Sequence, residues 1–458
     1  MDTIRGEALP PIAWRLLRLA ALVLALIALG STPAASQVTF QRHHDHPGRW
    51  LSPRDQVQAG DGGFVICGDA YLVGTQQSRP YLMKLDATGD VAWTREYDLL
   101  DGFHHAESMV RIAAPSGDVY VVLAGLDQVQ RPALFAVTSA GDLIGAKAYL
   151  GGPAELTMDE LLPASDGGWL LLGRAFDAAT GSDVAVLKLD LLGEVEWFRQ
   201  LTGSIPYPLF GADDAALGAL ELPGGAGWVV SALVESDAYV GLWDADGQPL
   251  LARSYGLVGA AVFERVLAVL VTGAGRLVVI AHADLSNDRF PLILELDGTG
   301  ALVSTQVLSL PMSATRALAT SDGGFVVAGS SLIVPGAQGL RLAKYDAQLT
   351  LEWARQYDVS LTFTTVNPPA NVIETADGGF LLTVAARDGL EPVQHVIKVA
   401  PDGSLGCGAT PLPPQIVFDA EVRTPTTTDL SATVESVLVG FEAVALPVTV
   451  SEDCPIGG

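Results

Sequence analysis

A unit of about fifty residues recurs along the chain, and it constrains the fold more than any other feature of the sequence. In its clearest form the unit opens with Asp61-Gly62-Gly63-Phe64, continues with Lys84-Leu85-Asp86 and reaches Trp93. Self-similarity at a fixed period is the signature of a repeat architecture. Clear copies follow at Asp166, Asp322 and Asp377, and degenerate copies lie around Ser116, Gly225 and Gly273, which gives seven copies.

Each copy contains four short apolar stretches, which in the first copy cover roughly residues 54–60, 63–70, 80–86 and 90–97. Glycine accepts positive φ and aspartate bonds to its own turn, so Asp-Gly-Gly predicts a tight reversal. Asp86-x-x-Gly89 predicts a second hairpin turn for the same reason. Four antiparallel strands at this period are typical of a propeller blade. We therefore predict an all-β fold, a seven-bladed β-propeller over residues 37–408.

The fourth stretch of each copy indicates how the blades pack. Val91, Trp93, Arg95 and Tyr97 alternate onto one face of the predicted strand. Large aromatic side chains there would pack on the next blade, with the stem of the basic residue lying over them. We interpret these residues as structural. The basic position recurs in later copies as Lys147, Arg199, Arg253 and Arg355.

The seventh copy loses the pattern at Ser404-Leu405-Gly406-Cys407, with no aromatic fourth strand behind it. Residues 38–45 match residues 91–98 in their Val, aromatic, Arg and Asp positions. We therefore predict that the N-terminal strand completes the last blade. Such a closure removes the open sheet edges that invite aggregation.

With these motifs the chain resembles bacterial secreted β-propeller repeat proteins, whose units read DGGF, then G, then KLD, then G and W. The resemblance covers about residues 37–408 and implies an extracellular or cell-surface location, with little information on activity. The segment from Lys84 to Trp93 is also similar to the tryptophan-docking repeat of quinoprotein dehydrogenases. Those enzymes have eight blades, a bound quinone and Ca²⁺, whereas this chain has seven copies and no adjacent pair of cysteines.

The N-terminus has the pattern of a secretory signal peptide. Arg15 and Arg18 precede an apolar run over residues 19–30, and small residues follow up to Ser36. The run is too short to span a bilayer as a helix. We predict cleavage after residue 36 and a secreted or periplasmic protein, with an uncleaved anchor as the alternative. No later segment is predicted to span a membrane.

Three cysteines remain in the predicted mature chain. An oxidising compartment permits disulfides, and we predict a bridge between Cys407 and Cys454. Cys67 lies in an apolar strand and is predicted to be a buried free thiol. Residues 409–458 lie outside the repeat and are predicted to form a short C-terminal β extension, with two or three strands packed on the last blade and clipped by the bridge.

The formal charge of −26 disfavours partners that are themselves anionic. We therefore expect neither nucleic acid nor an anionic membrane surface as a partner. We predict a monomer with no resident cofactor. Weak binding of a divalent cation such as Ca²⁺ by clustered carboxylates is the alternative.

Two groups of residues carry side chains suited to ligand binding. The first is histidine-rich and would suit Zn²⁺, Cu²⁺ or Ni²⁺, although adjacent strand histidines point to opposite faces. The second lies where first strands enter the central channel, and it could hold a cation, a sugar or a basic loop of a partner. The candidate metal ligands are His43, His44, His46, His104 and His105. The candidate ligand-binding residues are Glu107, Asp159, Glu160, Tyr207, Phe210, Asp213, Asp214, Glu264, Arg265 and Arg316.

The chain has no G-x-S-x-G elbow, no H-E-x-x-H motif and no glycine-rich phosphate loop followed by lysine. The first functional hypothesis is therefore a secreted binding scaffold that presents loops of one propeller face to a protein or glycan. The alternative is an extracellular glycan-active hydrolase or lyase that uses carboxylates at the channel mouth. A structural surface component without a discrete site is the third hypothesis, because fold alone does not decide function.

Overall fold

A computed structural model describes the chain from Val38 to Gly457, and for residues 406–457 it describes the backbone only. The predicted signal peptide and Cys407 lie outside the described residues. Gaps in the description fall at residues 47, 76, 99–103, 127–130, 152–154, 178–180, 203–214, 235–236, 258–263, 286–287, 298–299, 308–311, 331–338, 359–370, 389–390, 406–408, 412–415, 418–419, 424–425, 430–433, 439–441 and 446–448.

The described residues contain β-strands and one short 3₁₀ turn, and they include no helix long and apolar enough to cross a membrane. The strands are β1 (Thr39–Asp45), β2 (Arg49–Gln58), β3 (Phe64–Leu72), β4 (Ser78–Leu85), β5 (Val91–Asp98), β6 (His105–Ala114), β7 (Gly117–Leu126), β8 (Arg131–Thr138), β9 (Leu143–Gly151), β10 (Glu155–Pro163), β11 (Trp169–Asp177), β12 (Gly181–Leu189), β13 (Val195–Thr202), β14 (Ala215–Glu221), β15 (Gly227–Val234), β16 (Asp237–Asp244), β17 (Pro249–Leu257), β18 (Glu264–Val271), β19 (Leu277–Leu285), β20 (Asp288–Leu296), β21 (Leu302–Val307), β22 (Ser313–Ala319), β23 (Phe325–Ser330), β24 (Gly339–Tyr345), β25 (Leu351–Asp358), β26 (Asn371–Glu374), β27 (Phe380–Asp388), β28 (Glu391–Val399), β29 (Ala409–Pro411), β30 (Ile416–Val417), β31 (Ala420–Arg423), β32 (Thr426–Asp429), β33 (Val434–Leu438), β34 (Glu442–Ala445) and β35 (Thr449–Gly457).

Seven antiparallel sheets form the blades of a β-propeller, as the sequence predicted. Strands β2–β5 form blade 1, and each following set of four forms the next blade up to β22–β25 in blade 6. Blade 7 consists of β26, β27, β28 and the N-terminal strand β1. Each innermost strand contacts the innermost strand of the next blade, and β26 contacts β2, so the ring is closed around a central channel. The predicted N-terminal closure is confirmed.

The repeated Asp-Gly-Gly motif joins the first and second strands of a blade and also ties them to the third. Gly62 has a φ of 86°, which glycine adopts without strain. A Cβ on Gly63 would overlap the Leu85 carbonyl oxygen, so the second glycine permits the close approach of two strands. The Lys84 ammonium donates to the Asp61 carboxylate over 2.7 Å and to the Leu85 carbonyl over 3.1 Å. The same lysine–aspartate pair recurs at Lys188–Asp166, Lys344–Asp322 and Lys398–Asp377.

Fourth-strand side chains bind the third-to-fourth-strand turn of the next blade. The Tyr97 hydroxyl donates to the Gly141 carbonyl over 2.9 Å, and the Trp93 indole donates to the Ser139 carbonyl over 3.2 Å. The Arg95 guanidinium donates to the Asp142 carboxylate over 2.6 Å. The predicted structural role of these residues is therefore confirmed. The same grip recurs at Tyr149–Gly193, Trp197–Ala245, Arg199–Gly247, Tyr255–Gly300 and Tyr357–Gly403.

The N-terminal strand makes these contacts for blade 7. Phe40 packs on Gly89 of blade 1, and Arg42 pairs with the Asp90 carboxylate. Seven buried apolar clusters accompany the contacts, each lying mainly between two adjacent blades. The hydrophobic core is thus divided among the interfaces around the ring.

The C-terminal segment forms a belt around the outside of the propeller, which we define as β29–β35. Each belt strand pairs antiparallel with the outermost strand of one blade, so every sheet has five strands. The belt visits the blades in reverse order, 6, 5, 4, 3, 2, 1 and finally 7. It starts after the last turn of blade 7 and returns to that blade, where β35 pairs with β1. The expectation of two or three strands packed on the last blade is wrong. The described part of this segment contains seven strands, one on every blade, because each blade leaves an outer edge to be paired.

The belt returns Cys454 to blade 7, the blade whose last turn lies just before Cys407. Cys454 lies opposite Gln41 on blade 7, and the turn Ala400–Ser404 of that same blade precedes Cys407 by three residues. Cys67 is buried in β3 as a free thiol, as predicted, and burial raises the pKa of its thiol. The Cys407–Cys454 bridge remains a prediction, since Cys407 lies outside the described residues.

Thiol titration of the unreduced protein in denaturant tests the bridge. We expect one reactive thiol, that of Cys67, and three after reduction. A Cys67→Ser variant should show none before reduction. Three reactive thiols in the unreduced wild-type protein would contradict the bridge.

Buried histidines make the closing seam of the ring sensitive to acid. His44 lies in β1, and His395 pairs with His43 across β1 and β28. Burial lowers the pKa of His44 to about 4 and that of His395 to about 3, from an ordinary value of 6.5. The unfolded chain therefore binds protons first as the pH falls below 6.5, and stability decreases between pH 6.5 and 4.

We expect the free energy of unfolding to fall by roughly 3 kcal/mol per buried histidine between pH 7 and pH 4. Denaturant unfolding across this range measures the decrease. A His395→Leu variant removes one titrating group. Its free energy of unfolding should depend less steeply on pH, because unfolding takes up as much as one proton fewer than in the wild type. Equal slopes for the variant and the wild type would contradict this explanation.

Candidate functional site

A β-bulge interrupts the innermost strand at the same place in six blades. In blade 1 the pairing with β3 shifts between Pro53 and Asp55, so Arg54 is the extra residue. A bulge re-aims side chains and is frequent beside functional sites. The corresponding extra residues in blades 2 to 6 are Glu107, Asp159, Leu217, Leu267 and Thr315.

The residue after each of the six bulges, together with Asn371 at the equivalent distance from the Asp-Gly-Gly turn of blade 7, forms a layer across the channel. This layer is charged or polar in blades 1, 2, 3, 6 and 7, and it is small and apolar in blades 4 and 5. A Cβ on Gly218 of blade 4 would lie 3.3 Å from the Ala268 Cα of blade 5, so these two blades approach closely. The layer consists of Asp55, Ser108, Glu160, Gly218, Ala268, Arg316 and Asn371.

Hydrogen bonds within this layer cross the channel. The Arg316 guanidinium of blade 6 donates to both carboxylate oxygens of Glu160 of blade 3, over 2.6 and 2.8 Å. Asp55 accepts from the Ser108 hydroxyl over 3.1 Å and from the Asn371 amide over 3.1 Å. Burial raises the pKa of Glu160, and the Arg316 charge opposes that shift. The layer therefore joins blades 1, 2 and 7, and separately blades 3 and 6.

Beside this layer lies a cluster that we call the channel mouth, formed by Arg54, Asp69, His105, Glu107 and Asp159. Asp69 is fully buried and accepts from the Arg54 guanidinium over 2.9 Å, from the Tyr71 hydroxyl over 3.3 Å and from the Ala106 amide over 3.2 Å. Asp69 therefore holds Arg54 in a fixed orientation. About a third of the Arg54 side chain remains exposed.

Glu107 is held less tightly than Asp69. One carboxyl oxygen lies 3.2 Å from His105 Nε2, and the other lies 3.8 Å from an Arg54 nitrogen, beyond hydrogen-bonding distance. Burial raises the pKa of Glu107 to about 8; Arg54 opposes this shift, and Asp69 and Asp159 add to it. Burial also lowers the pKa of His105. Burial thus favours the protonated carboxyl and the neutral imidazole of this pair, which together can donate and accept a proton.

The structure brings together only some of the candidate ligand-binding residues. Glu107, Asp159, Glu160 and Arg316 lie in or beside the channel layer. The backbone of Glu264 and Arg265 opens β18, while their side chains are outside the description. Tyr207, Phe210, Asp213 and Asp214 lie outside the described residues.

The candidate metal ligands fall into two separate places. His43 and His44 lie in β1 with His46 just after it, at the seam of blades 7 and 1. His104 and His105 precede and open β6, where His104 exchanges hydrogen bonds with Ser78 of blade 1. Among the described residues, no three His, Cys, Asp or Glu side chains are grouped to hold a metal ion.

Arg54, Asp55 and Asn371 belong to the channel, although the sequence analysis did not single them out. A signal for two of them was present. Asp55 and Asn371 each stand six residues before the aspartate of an Asp-Gly-Gly motif, as Glu160 and Arg316 do. Arg54 then follows as the bulge residue beside Asp55.

No protein-family model and no curated protein matches the chain. Among solved structures, it is similar to a periplasmic gluconolactonase of Pseudomonas aeruginosa, with 14% identity, 89% of this chain and 100% of that chain covered, and a TM-score of 0.41. It is also similar to the polysaccharide lyase Uly1, with 11% identity, 75% of this chain and 90% of that chain covered, and a TM-score of 0.44. A third similar structure is the NanB sialidase of Streptococcus pneumoniae, with 10% identity, 82% of this chain and 70% of that chain covered, and a TM-score of 0.39. At these values the likenesses carry no inference about activity, and the fold assignment rests on the strand topology.

Proposed function

We propose that the channel mouth binds a glycan or another small polyhydroxylated ligand, and that the protein is a binding scaffold with its site on the propeller axis. The observation that carries the proposal is the Glu107–His105 pair beside Arg54. These groups are buried and ionisable, and their pKa values are shifted by burial. Clusters of this kind concentrate at functional sites.

Hydrogen bonds and ion pairs explain the burial of the carboxylates near Glu107 better than they explain the burial of Glu107 itself. The Asp69 carboxylate accepts hydrogen bonds from three donors, and both carboxylate oxygens of Glu160 accept from Arg316. Glu107 lies in the same wall, and its nearer oxygen is 3.8 Å from an Arg54 nitrogen. A buried carboxyl held by an imidazole is compensated less than one bound by a guanidinium, which favours a role in ligand binding.

The chemistry of the channel mouth suits hydroxyl groups. Arg54 offers N–H donors, the Glu107–His105 pair offers a donor and an acceptor, and Asp159 offers acceptors. Trp50 and Tyr71 form an aromatic pair, with ring centroids 5.6 Å apart, on the same two strands of blade 1. A few convergent polar groups beside aromatic faces are typical of small-molecule sites.

Glycan cleavage is the second candidate, and the raised pKa of Glu107 favours it. A carboxyl with a pKa of about 8 is protonated at neutral pH and could act as a general acid toward a glycosidic oxygen. Asp159, the bulge residue of the next blade, would be the partner carboxylate. Hydrolysis of a glycosidic bond requires such a pair.

Substitutions at Glu107 separate binding from catalysis. Glutamine imitates a protonated glutamate in shape and hydrogen bonding but cannot transfer a proton. A glycan found by thermal-shift screening and measured by calorimetry should bind Glu107→Gln within about threefold of wild type, and Glu107→Ala at least about tenfold more weakly. Glu194→Ala, on the far face, is the matched control.

Product analysis of the same glycan distinguishes the two functions. Release of shorter fragments, reduced by about 10²-fold or more in Glu107→Gln, would establish cleavage. Intact glycan after prolonged incubation would establish binding alone. Equal affinities for wild type, Glu107→Ala and Glu194→Ala, or no shift with any glycan, would contradict a site at the channel mouth.

A further inference from the structure

Exposed apolar side chains are concentrated on one face of the propeller. We call this the turn face, because it carries the first-to-second and third-to-fourth strand turns, such as Gly60–Gly63 and Asp86–Asp90. Of the eight large hydrophobic side chains that are exposed among the described residues, seven lie there and Val73 lies on the opposite face. The seven all belong to the consecutive blades 2 to 5: Ile112, Ile144, Leu191, Leu192, Leu250, Val271 and Val303.

The apolar positions are specific to these blades. Ile144, Leu250 and Val303 occupy the second position of the fourth strand in blades 2, 4 and 5. In blades 1, 3 and 6 the same position holds Ala92, Glu196 and Glu352. In blade 3, Leu191 and Leu192 supply the apolar surface from the neighbouring turn and are 68% and 78% exposed. An apolar group thus recurs at the rim of four blades in succession.

The belt does not pair with this part of the fourth strands. Its strands pair with the later residues, as β33 does with Lys147–Gly151 of blade 2. In blade 4, β31 pairs with Ser254–Leu257, whereas Leu250 lies near the start of β17. The pairing of the belt therefore leaves the apolar positions of the fourth strands uncovered.

Exposed carboxylates lie beside the apolar rim in blades 2 to 5, including Asp246 in a turn of blade 4 and Asp297 in a turn of blade 5. Asp142, Asp166 and Glu194 each expose more than half of their side chains. Their cation partners are less exposed: Lys147 beside Glu194 at 16%, Lys188 beside Asp166 at 4% and Arg95 beside Asp142 at 28%. Arg276 of blade 5 is 38% exposed beside a largely buried Glu295, but among the described residues of this rim the exposed carboxylates outnumber the exposed cations.

We propose that the turn face of blades 2 to 5 is a docking surface for a protein segment that carries both basic and apolar side chains. Exposed apolar groups on one face mark interaction sites, and a cationic partner complements the carboxylates beside them. A second copy of this chain fits poorly, because its net charge of −26 would repel the first. The surface is separate from the channel mouth, so the proposal is independent of glycan binding.

Binding of labelled model peptides tests this surface. The probe is an alternating Leu-Lys peptide, with a Ser-Lys peptide of equal charge as its control. We expect wild type to bind the Leu-Lys peptide at least about tenfold more tightly than the Ser-Lys peptide. Leu192→Ser combined with Leu250→Ser should remove that difference without changing the charge of the protein, whereas Val73→Ser, 60% exposed on the opposite face, should leave it unchanged.

The remaining outcomes overturn the proposal. Equal binding of both peptides would show that net charge alone attracts cations. A loss in Val73→Ser equal to that in the double variant would place the contact elsewhere. Self-association of wild type that the double variant abolishes, measured by sedimentation, would show that a second copy occupies the surface instead.

Discussion

The grip of each fourth strand on the turn of the next blade is the interaction on which the rest of the structure depends. It requires an aromatic or basic side chain on one blade and a bare turn glycine on the other, as Trp353 and Gly403 show. One exception supports this rule. In blade 5, Ser304 and Gln306 occupy the tryptophan and arginine positions, and in the facing turn of blade 6 Leu349 takes a φ of 68° and fills the interface with its own buried side chain.

The repeat made the ring, its blade count and its N-terminal closure predictable, because turn chemistry and strand alternation are local properties. Strand limits were less accurate: β2 begins at Arg49, five residues before the expected position. The belt was not predictable, since its strands are short, carry no repeat motif and are defined by pairing with blades far away in sequence. The expectation that the channel would be lined by charged first-strand residues was useful, but the bulges that aim Arg54 and Glu107 arise from pairing geometry.

Two kinds of polar residue therefore share the propeller axis. Asp55, Asp69 and the Arg316–Glu160 pair hold blades to one another, and their hydrogen bonds account for their burial. Glu107 with His105 lies in the same wall, and its looser pairing, 3.8 Å from Arg54 and 3.2 Å from His105, indicates a carboxyl that the fold tolerates rather than needs. This contrast is the central claim about the channel mouth, because it separates a ligand site from a structural network.

Thermal unfolding of two single variants tests that claim most directly. Asp69→Asn weakens a buried, charged acceptor of three hydrogen bonds, and the account predicts a clear decrease in melting temperature. Glu107→Leu removes a buried carboxyl of similar volume, and the account predicts an unchanged or higher melting temperature. A decrease in Glu107→Leu as large as that in Asp69→Asn would show that Glu107 is part of the structural network, and it would contradict the assignment of the channel mouth as a ligand site.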